Sequence, residues 1–321
     1  MFSCIINLLD NPWINYSVHV LGILVVSCIL CLFAVKTFFS REKSIRGKVA
    51  LITGGGSGLG AAIALELAKE GCHIAILDIN LNAATKTVSN LRKFGINAQA
   101  YKVDVMNLEE IENAKVKIES ELGKVGILVN NAAMLFARCI ETESPEILQK
   151  MLNVNILSVI WTTRVFLQTM IQENFGHIVT ISSIAALAAA PVGLIYTTSK
   201  FAVRGFMESL ALDLHHKGHN KSVKTTTVYP TFISTNDEVS HTFEVASNIR
   251  LHEMKTPESI AKDVVNAIKT NKETLVIPSI NLLLGYFITI PLFIRKFMMS
   301  KMIKKGYKWT GFATDTYTKL Q

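Results

Sequence analysis

Charge is scarce in this sequence and unevenly placed. Only 18% of the 321 residues are charged, against about a quarter in an average soluble chain. Half are hydrophobic and the mean hydropathy is +0.34, too apolar for a disordered chain. Five cysteines without framework spacing argue against a secreted disulfide scaffold. No internal repeat and no low-complexity linker occurs. The net charge of +8 does not come from the middle of the chain, where residues 49–281 carry 21 Lys+Arg against 22 Asp+Glu. Residues 36–48 carry 5 against 1, and residues 282–321 carry 7 against 1. A neutral body with basic ends points to anionic lipid and not to nucleic acid.

What is abundant is apolar sequence. Residues 18–35 read VHVLGILVVSCILCLFAV, eighteen residues without a formal charge. As a helix this is about 27 Å, close to the ~30 Å hydrocarbon core of a bilayer. No Lys or Arg precedes it, as a secretory signal would require. Lys36, Arg41, Lys43, Arg46 and Lys48 follow it, so the positive-inside rule places the rest of the chain in the cytosol. The expectation is an N-terminal membrane anchor. Cys28 and Cys31 fall inside this run and read as lipid-facing.

Downstream, short apolar runs at 49–53, 74–78, 98–103, 127–130, 177–182, 223–229 and 275–277 alternate with stretches of helical spacing. One helix is expected from Ala61. Ser144-Pro145-Glu146 and Thr256-Pro257-Glu258 each offer a cap residue and a proline at the first helical position. This alternation predicts an α/β fold, a Rossmann-like doubly wound parallel sheet of about seven strands. The expected organisation is an anchor at 1–36, a basic linker at 37–47, a single α/β domain at 48–281 and an apolar, basic tail at 282–321.

The first strand runs through Thr53 into Gly54-Gly55-Gly56-Ser57-Gly58-Leu59-Gly60. Glycines at 54, 58 and 60 permit a tight turn and close approach of backbone to a pyrophosphate, which the following helix N-terminus then faces. Between a buried strand and a helix, this pattern is a dinucleotide site. Asp78 ends the second strand 18 residues past Gly60, where a carboxylate accepts from ribose hydroxyls. Its charge repels a 2′-phosphate, and no Lys or Arg lies in the glycine loop. The expected cofactor is NAD, with NADP the lesser choice; the competing reading of Asp78 is a cap for the next helix. Asp104-Val105 after the third strand fits a lip for the adenine ring.

Tyr196 and Lys200 are four residues apart, so a helix presents both on one face. A phenol titrates near ~10 and is a weak base at neutral pH. A nearby ammonium and a positive nicotinamide ring both favour the phenolate, which can then accept a hydroxyl proton as hydride leaves the carbinol. Ser183, thirteen residues before Tyr196, closes the run from His177. Its hydroxyl is placed to hold the substrate oxygen, with Ser182 as the alternative.

With Thr53-Gly54-x-x-x-Gly58-x-Gly60, Asn130-Asn131-Ala132, Ser183 and Tyr196-x-x-x-Lys200, the chain resembles the short-chain dehydrogenase/reductases over about residues 46–278. The resemblance implies an NAD(P)-dependent alcohol dehydrogenase or carbonyl reductase needing no metal. It implies that Asn155 holds a water relaying protons through Lys200, that Asn131 braces the sheet beside the cofactor, and that Asn131 and Ala132 are among the cofactor-binding residues. Pro230-Thr231-Phe232-Ile233-Ser234-Thr235 matches the family segment whose backbone and threonine meet the nicotinamide amide. Ala133 and Thr231 stand where the family usually has glycine. A homodimer is implied as well.

The anchor and Asp78 narrow the resemblance to the membrane-anchored branch near epidermal retinol dehydrogenase and 17β-hydroxysteroid dehydrogenases 11 and 13. That branch implies a lipophilic alcohol or carbonyl as substrate, retinol first and a 17β-hydroxysteroid second, at the endoplasmic reticulum membrane or a lipid droplet. The alternatives are an NADPH-dependent carbonyl reductase of retinal or ketoacyl lipids and a non-catalytic lipid-droplet scaffold. Residues 232–255 lie where the family places its substrate lid. The tail, apolar over 282–294 and then basic from Arg295, is too short for a span and reads as interfacial. His215, His216 and His219 have no carboxylate or cysteine partner nearby and read as an exposed helix end, with no metal site.

Overall fold

A computed structural model describes residues 42–135, 140, 141, 143–189, 193–231, 233 and 255–304, and upstream the helical positions Val20 and Ser27. The expected anchor otherwise lies outside the described residues. The chain divides into two units, Met1–Lys43 and Ser44–Gln321, and every described strand belongs to the second.

Seven strands form one parallel sheet: β1 (Val49–Thr53), β2 (His73–Asp78), β3 (Ala98–Lys102), β4 (Val125–Asn130), β5 (Gly176–Ile181), β6 (Val223–Pro230) and β7 (Thr274–Ile277). Their order is β3-β2-β1-β4-β5-β6-β7. The helices between them are α1 (Gly58–Lys69), α2 (Leu81–Leu91), α3 (Leu108–Glu121), α4 (Pro145–Leu152), α5 (Ser158–Gln172), α6 (Leu194–His216) and α7 (Pro257–Lys269). A π-helical turn, Asn153–Leu157, joins α4 to α5, and α8 (Leu292–Lys304) follows the sheet.

Both faces of the sheet are covered, which is why its central strands read as unbroken apolar runs. Ala50, Ile52, Ile74 and Ile76 pack on one side with residues of α1, α2 and α7. Leu51, Ala75, Leu77 and Leu128 pack on the other with residues of α3, α5 and α6. Phe166 on α5 is fully buried there, a contribution of about 1.5–3 kcal/mol to stability. The run Pro145–Gln172 is long and apolar enough to cross a membrane, but 56% of its apolar window is buried inside the fold. It is a core helix. Ser144 and Thr256 cap α4 and α7 as their sequences suggest, their hydroxyls accepting from Ile147 N and Ser259 N at 3.3 Å each.

The first helix starts at Gly58, three residues before the position its apolar spacing marks. Glycines carry no apolar pattern, so the opening turn is silent in the sequence. At its other end Cys72 is buried beside α1, and its thiol is pushed up to about 12, first by burial and then by the Glu70 charge. Near the end of α6, His215 faces the Asn220 side chain at 2.9 Å.

Candidate active site

The strand order reverses between β1 and β4, and the crevice at their carboxyl ends is where sheets of this kind take ligands. Thr53 ties the two strands together there. Its hydroxyl accepts the N–H groups of Asn131 and Ala132 at 3.0 Å each and donates to Val129 O at 3.5 Å. The Asn131 amide donates back to Thr53 O at 3.0 Å and Gly54 O at 3.1 Å. Asn130, the first residue of the motif, turns inward and accepts from the Thr162 hydroxyl at 2.7 Å.

Gly54 and Gly58 have φ of +63° and +53°, a region that favours glycine. At Gly60 the constraint is space, since a Cβ would sit 2.2 Å from Gly54 O. Ser57 precedes α1 in extended conformation without a capping hydrogen bond, and the first turn has no acidic residue. The leading N–H groups and the positive end of the helix dipole therefore meet the glycine loop, with Leu59 buried behind them. That cradle fits a pyrophosphate.

Asp78 shapes the same loop. Its Oδ2 accepts Gly56 N–H at 2.8 Å and its Oδ1 accepts Asn80 N–H at 2.9 Å. Each carboxylate oxygen keeps a lone pair for a further donor. The cap reading of Asp78 is corrected: Asn80 caps α2, accepting from Ala83 N at 3.1 Å, because Asp78 is drawn toward the glycine turn. Thr87, silent in the sequence, donates to Gly56 O at 3.1 Å. Asp104 accepts Met106 N–H at 2.9 Å, donates its own N–H to Glu110 Oε2 at 2.8 Å, and is followed by buried Val105.

The two serines after β5 part company. The Ser182 hydroxyl is buried and donates to Lys200 O at 3.4 Å. Ser183 opens the short 3-10 turn Ile184–Ala186, accepting Ala185 N–H at 3.1 Å, and its side chain is near enough to the Tyr196 hydroxyl to favour ionisation of the phenol. Gly193, at φ +72°, redirects the chain into α6, whose first turn holds Tyr196. Lys200, one turn on, is buried. Its ammonium donates to Ile181 O at 3.1 Å and lies 5.5 Å from the Tyr196 ring centre.

Tyr196 keeps some surface open, yet its hydroxyl lies deep among protein atoms. Burial pushes the phenol above its ordinary value, and Ser183 pulls it back. Burial alone brings Lys200 down to about 8. The sequence marks the ammonium as the group that acidifies the phenol; in the fold the lowering influence comes from Ser183, and burial opposes it. Burial penalises the charged form of each group.

Asn155 braces this cluster. Its Oδ1 accepts Met134 N–H at 2.7 Å, while its amide donates to Met134 O at 2.9 Å and Ser199 Oγ at 3.1 Å. Ser199 donates to Tyr196 O at 2.7 Å, so the π turn, the loop after β4 and the start of α6 are locked together. Both amide hydrogens are spent on protein, and Oδ1 keeps a lone pair for a further donor. Ser199 has no sequence signal, since its partners come from distant segments. At the far edge Pro230 ends β6 and Ile233 bridges Lys255. Thr235 and the rest of the expected lid lie outside the described residues.

A glycine cradle at the switch point and a serine–tyrosine–lysine cluster built from the turn after β5 and from α6 define a nicotinamide-dependent oxidoreductase. The sequence matches the short chain dehydrogenase family over residues 48–242, and the chain belongs to that family. It is 34% identical over 267 residues to estradiol 17-beta-dehydrogenase 11 of Mus musculus, covering 81% of this chain and 87% of the relative. It is 32% identical over 286 residues to 17-beta-hydroxysteroid dehydrogenase 13 of Homo sapiens, covering 88% and 91%. Among solved structures, a short chain dehydrogenase/reductase from Burkholderia phymatum in complex with NAD superposes with a TM-score of 0.68 at 26% identity, covering 75% of this chain and 93% of that one. The protein is thus a short-chain oxidoreductase related to the 17β-hydroxysteroid dehydrogenases.

Proposed function

We propose that the protein is an NAD-dependent dehydrogenase of a lipophilic alcohol, retinol first and a 17β-hydroxysteroid second. Residues 48–281 form its catalytic domain, and the apolar segment within 1–36 and the basic tail attach it to membrane lipid, at the endoplasmic reticulum or a lipid-droplet surface. The observation that carries this reading is the grouping of Ser183, just after β5, with Tyr196 and the buried Lys200 on α6, the ammonium 5.5 Å from the phenol ring centre.

A nicotinamide cofactor supplies the hydride acceptor when bound. Everything else falls to the chain. Thr53, the glycine loop and the N-terminus of α1 hold the pyrophosphate, and Asp78 takes the adenosine ribose. Ser183 positions the alcohol oxygen. The Tyr196 phenolate removes the hydroxyl proton, which makes hydride departure from the carbinol carbon favourable. Lys200 keeps the phenolate ionised, and Asn155 holds the first turn of α6 so that both stay aligned. The similarity to estradiol 17-beta-dehydrogenase 11 and 17-beta-hydroxysteroid dehydrogenase 13 favours a lipophilic alcohol over a sugar or a hydroxy acid.

Full-length protein in membranes, offered NAD or NADP with retinol, estradiol and a long-chain secondary alcohol, tests this by the absorbance of the reduced cofactor. NAD with at least one of these alcohols is the expected pair; a strict demand for NADP makes the carbonyl-reductase reading the correct one. Asp78→Ala removes a charged acceptor worth about 1.5–3 kcal/mol, so the KM for NAD should rise roughly ten- to a hundred-fold and the preference over NADP should shrink. An unchanged preference would remove Asp78 from cofactor selection.

A further inference from the structure

The crossovers after β4, β5 and β6, and the segment after β7, all leave the carboxyl edge of a parallel sheet, the edge that carries Ser183 and Tyr196. Beyond β7 the chain forms a 3-10 run, Ser279–Thr289, and then α8, and the described residues of neither element include a fully buried side chain. One residue seats the run on the domain. Leu284 packs against Ala186, Leu187, Tyr229 and Val276, and Ala186 ends the 3-10 turn that Ser183 opens. The neighbours of Leu284 point outward. Leu283 is 64% exposed, Tyr286 68% and Phe293 73%. Leu194, two residues before Tyr196, is exposed on the same edge. A run of large apolar side chains in the open marks an interaction surface.

Charge decides what covers it. Arg295 and Lys296 follow these residues directly, and between 282 and 321 there are seven basic residues and one acidic one. In a symmetric contact with a second copy these cations would face one another. Against an anionic bilayer they are attracted, and their long stems let the charges reach the headgroups while the apolar parts stay in the interface. Pro291 and the eleven-residue length of the 3-10 run exclude a span.

We propose that Ser279–Lys304 is a lipid-docking face that seats the mouth of the active site on an anionic bilayer, so that the alcohol passes from lipid to Ser183 and Tyr196 without crossing water. The proposal rests on the lipophilic-alcohol reading above and adds the route. Docking also bears on catalysis, because Leu284 connects the face to the turn after Ser183.

The test uses the full chain in vesicles of phosphatidylcholine alone or with added phosphatidylserine. Hydrogen exchange across 279–304 is followed beside turnover of a bilayer-dissolved secondary alcohol. Phosphatidylserine should slow exchange in this segment and raise turnover. Leu283→Glu with Phe293→Glu should abolish both effects and cut turnover about tenfold, while the protein stays vesicle-bound through its N-terminal segment. Arg295→Gln with Lys296→Gln should remove the dependence on phosphatidylserine. Unchanged exchange together with wild-type turnover in the glutamate variant overturns the docking face and leaves the dehydrogenase reading intact. Protection without lipid, lost together with a dimer in sedimentation, assigns the face to a second copy and also overturns the proposal. If no alcohol is oxidised at all, the dehydrogenase reading fails, and the exchange result alone decides the docking face.

Discussion

Tyr196→Phe is expected to lower alcohol oxidation about a hundred- to ten-thousand-fold, the range a positioned general base supplies, and to leave cofactor affinity unchanged. The phenol ring stays, so the packing beside Lys200 stays; only the proton-accepting oxygen goes. Titration of NAD binding by fluorescence, set beside kcat, separates the two effects. The sign of the pH response follows from the shifts. Oxidation uses the deprotonated phenol, so the rate should rise with pH. Burial moves that rise upward and Ser183 moves it back. Ser183→Ala should therefore shift the rise to higher pH besides lowering kcat. A Tyr196→Phe enzyme with more than a tenth of wild-type turnover would remove the phenol from the chemistry.

Gly60→Ala is expected to abolish cofactor binding and to destabilise the fold by about 1–3 kcal/mol. The added methyl would lie 2.2 Å from the Gly54 carbonyl oxygen and 2.5 Å from Asn131 Nδ2. Relief means moving β1's last turn off β4, which opens the pyrophosphate cradle. Gly205→Ala is the control. It lies within α6 with nothing inside 4 Å of the added methyl, and it should raise stability by about 0.4–1 kcal/mol with cofactor binding unchanged. Denaturant unfolding and NAD titration of the pair distinguish a clash at one glycine from a general intolerance of alanine.

The seven strands were legible because a sheet covered on both faces writes each strand as a continuous apolar run. Their ends moved by one or two residues, at His73 and Gly176 because the boundary residue is polar or glycine, and at Val125 because Gly126 separates it from the apolar run. The opening turn of α1 was not legible, because glycines leave no hydrophobic period. The glycine loop, Ser183, Tyr196 and Lys200 could be picked out by spacing along a strand–turn–helix. What holds them in place could not. Thr87 reaches Gly56 across 31 residues and Asn155 reaches Ser199 across 44, and neither pairing leaves a local trace. The π turn at Asn153–Leu157 is of the same kind, seated by its bonds to the loop after β4 and not by its own residues. Asp78 and Asn80 show how close a misassignment can lie: both are acceptors at the end of β2, and only the direction of the side chain decides which one caps α2.

The account stands on proton transfer by the Tyr196 phenol, assisted by Ser183 and Lys200. The direct measurement is the pH dependence of NAD reduction in a single turnover, for the wild type and for Tyr196→Phe. The predicted result is a one-proton rise to a plateau in the wild type and a slow, flat profile in Tyr196→Phe. A residual rate in Tyr196→Phe that keeps the wild-type rise would contradict it and assign the proton to another group.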